Sequence, residues 1–321
     1  MNKKLYGSIA VIAVLLGYIF FSNQKGTRDV PELKSWEGDI TGLSIKAGEK
    51  LLVLTRVDGK WIIGDEKYPA DEQKVKSLVS KIRDLKLTDL ISRQKFYQNY
   101  DLTPEKAAVI TLKQKDQVVR KLTVGKTGST GRHSYLLVDN RPEVYQGAVS
   151  FAAETKSTLD DFRDRVIMKV SKDAVSSFAV KYRGRTFAFN REEIKPEKKE
   201  PAKPGLKKTP PAASAQPVVK WTCKGFERVA LNKGRVEGLL ASLDPLKASS
   251  FPAIEEKGLG APLAAVTLKA FKRDIEVKIF RQQKDKKYPA LSSESPYVFT
   301  IDEWRAKKYF IENLKDLKDN K

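Results

Sequence analysis

One unit is written twice in this chain, and the second writing carries a long insert. The stretch DITGLSIKAGEKLLVLTR (Asp39–Arg56) is matched by AVSSFAVKYRGRTFAFNR (Ala174–Arg191) at a constant offset of 135. That offset sets Ile40, Leu43, Ile45 and Arg56 on Val175, Phe178, Val180 and Arg191. Further on, VKSLVSKIRDLK (Val75–Lys86) matches VEGLLASLDPLK (Val236–Lys247), and AAVITLK (Ala107–Lys113) matches AAVTLK (Ala264–Lys269). EVYQGAVSF (Glu143–Phe151) matches YVFTIDEW (Tyr297–Trp304) more loosely. A repeat this long is a duplicated domain rather than a solenoid unit.

Each copy follows the same grammar. Alternating Leu43 and Ile45 and the run LLVLTRV (Leu51–Val57) read as strands. Asp58-Gly59 is a strong hairpin turn, and Trp61–Ile63 continues into the next strand. Asp71 caps a helix whose apolar stripe is Val75, Leu78, Val79, Ile82 and Leu85. Asn232 caps the second stripe, Val236, Leu239, Leu240, Leu243 and Leu246. Spacing at three and four residues makes both stripes core. Strands are expected at Ala107–Leu112, Val118–Val124, Tyr135–Val138 and Val144–Tyr145, then a short closing helix around Ala148–Thr155 and, in the second copy, Asp302–Phe310. The expected fold is α+β: an N-terminal transmembrane helix, then two tandem domains of mostly antiparallel strands with one longer and one short helix each. Ile45 and Val180 should hold equivalent buried strand positions, as should Leu78 and Leu239.

The insert EEIKPEKKEPAKPGLKKTPPAASAQP (Glu192–Pro217) is rich in Pro, Lys, Glu and Ala and reads as disordered or extended. The duplication places it inside the second domain, because Arg56 reaches Trp61 through a tight turn while Arg191 is separated from Trp221 by this stretch. The expected organisation is a cytoplasmic tip and anchor at 1–23, a stalk at 24–38, a first domain at 39–170 and a second at 171–321 with the insert at 192–217.

Leu5–Ser22 (LYGSIAVIAVLLGYIFFS) carries no charge and would rise roughly 27 Å as a helix, enough for a bilayer core. It ends in bulky Tyr18-Ile19-Phe20-Phe21 rather than an A-x-A-like cleavage site, so it reads as an uncleaved signal anchor. The short N-terminus with Lys3 and Lys4 stays in the cytoplasm on this reading, and the body lies outside the bacterial cytoplasmic membrane. Net charge is +21, of which the insert supplies only +2, so the excess is spread over the body and suits an anionic surface. One Cys and one His exclude a disulfide framework and argue against a His/Cys metal site.

The combined pattern resembles the family called domain of unknown function 4340. The residues that carry the resemblance are VDGKWII (Val57–Ile63), YPADEQKVKSLVSKIRDLK (Tyr68–Lys86), YDLTPEKAAVITL (Tyr100–Leu112), KLTVGK (Lys121–Lys126), PEVYQG (Pro142–Gly147) and TLDDFRDR (Thr158–Arg165). It covers the first copy well and the second weakly, where Phe280–Gln282 replace the Gly-Lys pair. The resemblance implies a membrane-anchored bacterial envelope protein, similar in some cases to proteins encoded beside ABC-transporter parts of gliding or export systems. It implies no reaction.

Residues that invite chemistry are few. GKTGSTGRH (Gly125–His133) has Arg120 where a phosphate loop needs its first Gly, so it reads as a hairpin. His133, Ser134 and Asp139 name a triad, but they crowd one loop and strand whose alternate side chains diverge. Asp160, Asp161 and Asp164 interleave with Arg163 and Arg165, which suits a helix start and ion pairs better than a cation loop. Cys223 in WTC reads as packing. KYRGRTFAF (Lys181–Phe189) and WRAKKYF (Trp304–Phe310) mix bases and aromatics, yet the Phe residues alternate as inward strand residues do, which argues against nucleic acid.

No catalytic, cofactor-binding or metal-ligating residue is therefore assigned, and no cofactor is expected. The expected partners are the bilayer, through residues 5–22, and an envelope protein such as an ABC-transporter component. Two alternatives stay open: a carbohydrate-acting hydrolase using carboxylates such as Asp160 and Asp164, and a polyanion binder.

Overall fold

The computed structural model describes residues 12–18, 30–194, 218–271, 273–282 and 286–318. They form two compact units, divided between Asp164 and Arg165. The division falls before the expected 170/171 boundary because Val166–Met168 pairs with Leu246–Lys247 of the second unit.

The first unit is built on one antiparallel sheet. Its strands are β1 (Gly42–Ala47), β2 (Lys50–Val57), β3 (Lys60–Ile63), β4 (Tyr68–Pro69), β5 (Leu87–Ser92), β6 (Ala108–Gln114), β7 (Gln117–Thr127), β8 (Ser134–Val138) and β9 (Val144–Gly147), in the order β4-β3-β2-β1-β6-β7-β8-β9-β5. Asp58 and Gly59 turn the β2–β3 hairpin with φ of 49° and 81°, the left-handed pair that a two-residue hairpin requires. Helix α1 (Glu72–Arg83) starts at Asp71, whose carboxylate accepts from Lys74 N at 3.1 Å, and lays Val75, Leu78 and Ile82 on one face of the sheet. Leu43, Ile45, Leu54, Ile110, Leu112, Leu122 and Leu136 answer it from the strands. Over β1–β3 the opposite sheet face carries no helix among the described residues, and Leu51, Val53 and Val57 stand exposed there, whereas over β7–β8 the turn Tyr97–Tyr100 covers it, with Tyr100 5.0 Å from the Tyr135 ring.

The second unit repeats this plan. After β10 (Val166–Met168), its sheet contains β11 (Val175–Tyr182), β12 (Arg185–Ile194), β13 (Val218–Cys223), β15 (Ala264–Ala270), β16 (Arg273–Ile279), β17 (Lys287–Ser292) and β18 (Ser295–Asp302), while β14 (Leu246–Lys247) joins β10. The order β13-β12-β11-β15-β16-β17-β18 is that of β3-β2-β1-β6-β7-β8-β9. The register repeats residue for residue. Ile45 faces Leu52 and Ile110, and Val180 faces Phe187 and Val266. Leu43 faces Leu54 and Leu112, and Phe178 faces Phe189 and Leu268. Helix α3 (Lys233–Ala241), capped by Asn232 on Arg235 N at 3.0 Å, buries Val236, Leu239 and Leu240 as α1 buries its own stripe. Ile45, Val180, Leu78 and Leu239 are all buried.

Arg191 stands opposite Trp221, as Arg56 stands opposite Trp61, so the strands flanking the insert pair in the same register as the short hairpin. Pairing continues to Ile194 and Val218, so Glu192 and Glu193, expected within the insert, are strand. Residues 195–217 lie outside the described residues.

Other corrections concern elements with weak periodicity. The helix expected at Ala148–Thr155 is a loop ending in one tight turn at Glu154–Lys156, pinned by Phe151 in the core; the short helix is α2 (Leu159–Phe162) instead. The second closing helix, α4 (Glu303–Lys307), is shorter than Asp302–Phe310, and Tyr309 leaves it to enter the core. Residues 30–38, expected as stalk, lie against the first unit: Leu33 and Trp36 pack on its core and Lys34 O accepts from the Arg120 guanidinium at 2.5 Å. Of the expected anchor, residues 12–18 are described, and they are helical. Among the described residues no helix is long and apolar enough to cross a membrane; the rest of Leu5–Ser22 lies outside them.

Candidate functional site

The residues singled out by sequence are placed apart and given separate tasks. His133 Nδ1 lies 3.1 Å from Thr130 Oγ1 in the β7–β8 loop. Ser134 is buried, and its hydroxyl accepts from Phe151 N at 3.0 Å, which fixes the loop after β9. Asp139 follows the other end of β8, about 16 Å along an extended strand, where it accepts from Lys121 N at 3.0 Å and pairs with Arg120. The three do not converge.

In the DDFRD stretch, Asp161 Oδ2 accepts from Thr158 N and from Thr158 Oγ1, both at 2.8 Å, closing the capping box of α2. Asp164 N donates to Pro69 O at 2.8 Å, and the buried Arg163 guanidinium sits 3.7 Å over the Tyr68 ring. These contacts tie α2 to β4. Among the described residues no three His, Cys, Asp or Glu side chains are grouped to hold a metal ion. Cys223 is fully buried on β13, and burial pushes its thiol above the usual range. Phe187 and Phe189 of the basic KYRGRTFAF stretch belong to the core, as does Tyr309 of WRAKKYF, while Arg183 pairs with Glu312 at 3.0 Å. Trp304 is exposed, with Arg305 and Lys308 each 5.1 Å from its ring.

The structure adds two features that sequence reading missed. A groove runs between α1 and residues 153–162, lined by Lys74, Ser77, Lys81, Glu154 and Asp161 among others. At its wall Lys81 Nζ meets Glu154 Oε1 at 2.7 Å and lies 4.9 Å over the Phe151 ring. Both side chains are largely buried, which strengthens their attraction at a desolvation cost, and Glu154 Oε2 is buried with no partner among the described residues. The other two carboxylates of the groove, Asp71 and Asp161, cap helices. The groove therefore holds one ion-paired carboxylate and two that cap helices. Lys81 and Glu154 are separated by 73 positions, so no local pattern announces them.

The second feature is Arg120, only 2% exposed on the inner face of β7. Its guanidinium pairs with Asp139, donates to Lys34 O and faces the Trp36 ring at 5.8 Å, with Arg83 on the same ring at 5.2 Å. It clamps the segment before β1 onto the sheet.

Fold and geometry together define a strand-rich α+β protein of two like units, whose buried charges fasten loops and helix starts. Residues 61–219 match the family described as Domain of unknown function (DUF4340), the one the motifs resemble, so this stretch is a region of that family. The match runs from β3 of the first sheet to β13, the same strand of the second, and so covers one full repeat in permuted order. No curated protein matches the chain, and no solved structure does.

Proposed function

We propose that the chain is a non-enzymatic envelope protein, held in the bacterial cytoplasmic membrane by residues 5–22 with its body outside the cytoplasm. It acts there as a binding or scaffold module, accessory to an ABC-type transporter or export system. The observation that carries the membrane reading is the helical stretch 12–18, where Ile12, Val14, Leu15, Leu16 and Tyr18 are each more than half exposed. Adjacent aliphatic side chains this exposed are stable in lipid and costly in water. The +21 charge supports a place beside anionic headgroups or an acidic partner.

Intact mass of the membrane-extracted protein, with protease accessibility in spheroplasts, tests the anchor. The expected result is a mass that includes residues 1–22, resistance to carbonate extraction, and a body digested from outside. A mature terminus near Asn23, or a body protected from external protease, refutes the reading.

A further inference from the structure

The open β1–β3 part of the first sheet's outer face differs from its counterpart in a way the shared fold does not require. Leu51, Val53 and Val57 of β2 are 59%, 44% and 46% exposed there, with Ile62 of β3 beside Thr55. The equivalent positions in the second copy are Thr186, Ala188, Glu192 and Thr222. Each of these four aliphatics is thus small or polar in the second. Since both sheets carry the same strand order and register, this apolar surface is not a demand of folding.

The surface is shaped as well as apolar. Cross-strand rows run Leu51–Lys46–Val109, Val53–Ser44–Thr111 and Thr55–Gly42–Lys113. Beyond Lys46 the middle strand offers only Ser44 and Gly42 between taller neighbours, which leaves a trough of about 660 Å³ along that end of β1. Lys113 lies against Gly42, where an added Cβ would sit 3.4 Å from the Lys113 Cβ. The three rows span about 13 Å of strand, the length of roughly two and a half helical turns.

Charge selects the occupant. At these strand positions stand Lys46, Lys60, Lys113 and, opposite Thr111, Lys121, with no carboxylate among them; Asp116 lines the trough from a turn. In the second copy Glu276 takes the place of Lys121 and pairs with Lys278 at 3.5 Å. A second copy of this chain would set lysines against lysines. A flat bilayer would meet the long lysine side chains before the shorter Val53. A narrow segment with carboxylates on its flanks satisfies both shape and charge.

We propose that this trough is the docking site for an acidic, amphipathic segment of a partner protein. The proposal rests on the reading of the chain as a binding module and gives that module an address. The test places a benzophenone amino acid at position 53, or at 188 as the matched control, in the full-length protein in its own cells. Irradiation should give a protein adduct from 53 and not from 188, and the attached peptide should be acidic with apolar residues at helical or strand spacing. Lys46→Glu with Lys113→Glu should cut the yield about tenfold. Adducts with lipid, with a second copy or with a basic peptide overturn the proposal, as do no adduct from 53 or equal yields at both positions. Protein adducts confined to other surface positions overturn the trough while leaving the binding-module reading in place, and the anchor is judged separately by carbonate extraction.

Discussion

Arg120 and Ile275 occupy the same place in the two sheets, opposite Leu112 and Leu268. Isoleucine there needs only packing. The buried guanidinium needs Asp139, the Lys34 carbonyl and the face of Trp36, and all three are in place. Arg120→Ala should cost about 2–3 kcal/mol, read from the denaturant midpoint, because charged hydrogen bonds are lost and the strap before β1 is released. Asp139→Asn should cost about 1 kcal/mol or less, since Asp139 is 39% exposed and water replaces much of the pairing. Tyr309 supplies a second residue-scale test. Its hydroxyl donates to Leu239 O at 2.8 Å and meets Ser242 Oγ, and burial raises its ionisation far above the ordinary range. Above about pH 10 the unfolded chain loses this proton while the folded chain keeps it. The unfolded state then binds fewer protons, and stability falls by about 1.4 kcal/mol per pH unit from this group. Tyr309→Phe should cost about 1–2 kcal/mol at neutral pH and flatten the alkaline fall between about pH 10 and 11.5; an unchanged slope counts against the burial account. None of these pairings was legible in sequence. Lys81 with Glu154, and Arg120 with the strap, depend on the sheet bringing distant positions together, whereas the caps at Asp71 and Asn232 are local and were legible.

At the scale of elements, the repeat was the most legible feature, because both copies are held to one register by the same inward residues. Strand β5 carries no strand signature in sequence for a physical reason: LTDLIS has five half-buried positions and no clear alternation, and its pairing with β9 shifts register twice. The loop before α2 has the helix-tolerant composition of Ala148–Thr155, yet Phe151 is fully buried and its amide is held by Ser134. The hairpin β12–β13 tests the repeat directly. Replacing residues 193–219 with Asp-Gly would copy the β2–β3 turn between Glu192 and Lys220, which stand where Val57 and Lys60 stand in the first copy. The shortened protein should fold with stability within about 1 kcal/mol of the parent, because a tight turn closes the same ladder and loop closure depends only weakly on length. Loss of cooperative unfolding in the second unit would show that the register does not transfer.

At the scale of the whole molecule, the two copies have kept one scaffold and diverged on the surface. The first presents aliphatics and lysines on its open sheet face; the second presents small and polar residues with a paired Glu276 and Lys278. The excess charge was visible in composition, but the gathering of Lys46, Lys60, Lys113 and Lys121 on one sheet face needed the strand register. The direct test is the mass of the complex that full-length protein forms in mild detergent, measured for matched charge insertions on the two faces. Unaltered protein should run as its 36.1 kDa chain plus a partner. Leu51→Glu with Val53→Glu should reduce it to the single chain, while Thr186→Glu with Ala188→Glu should leave the complex intact. A single chain for the unaltered protein, or the same response from both pairs, would contradict the account.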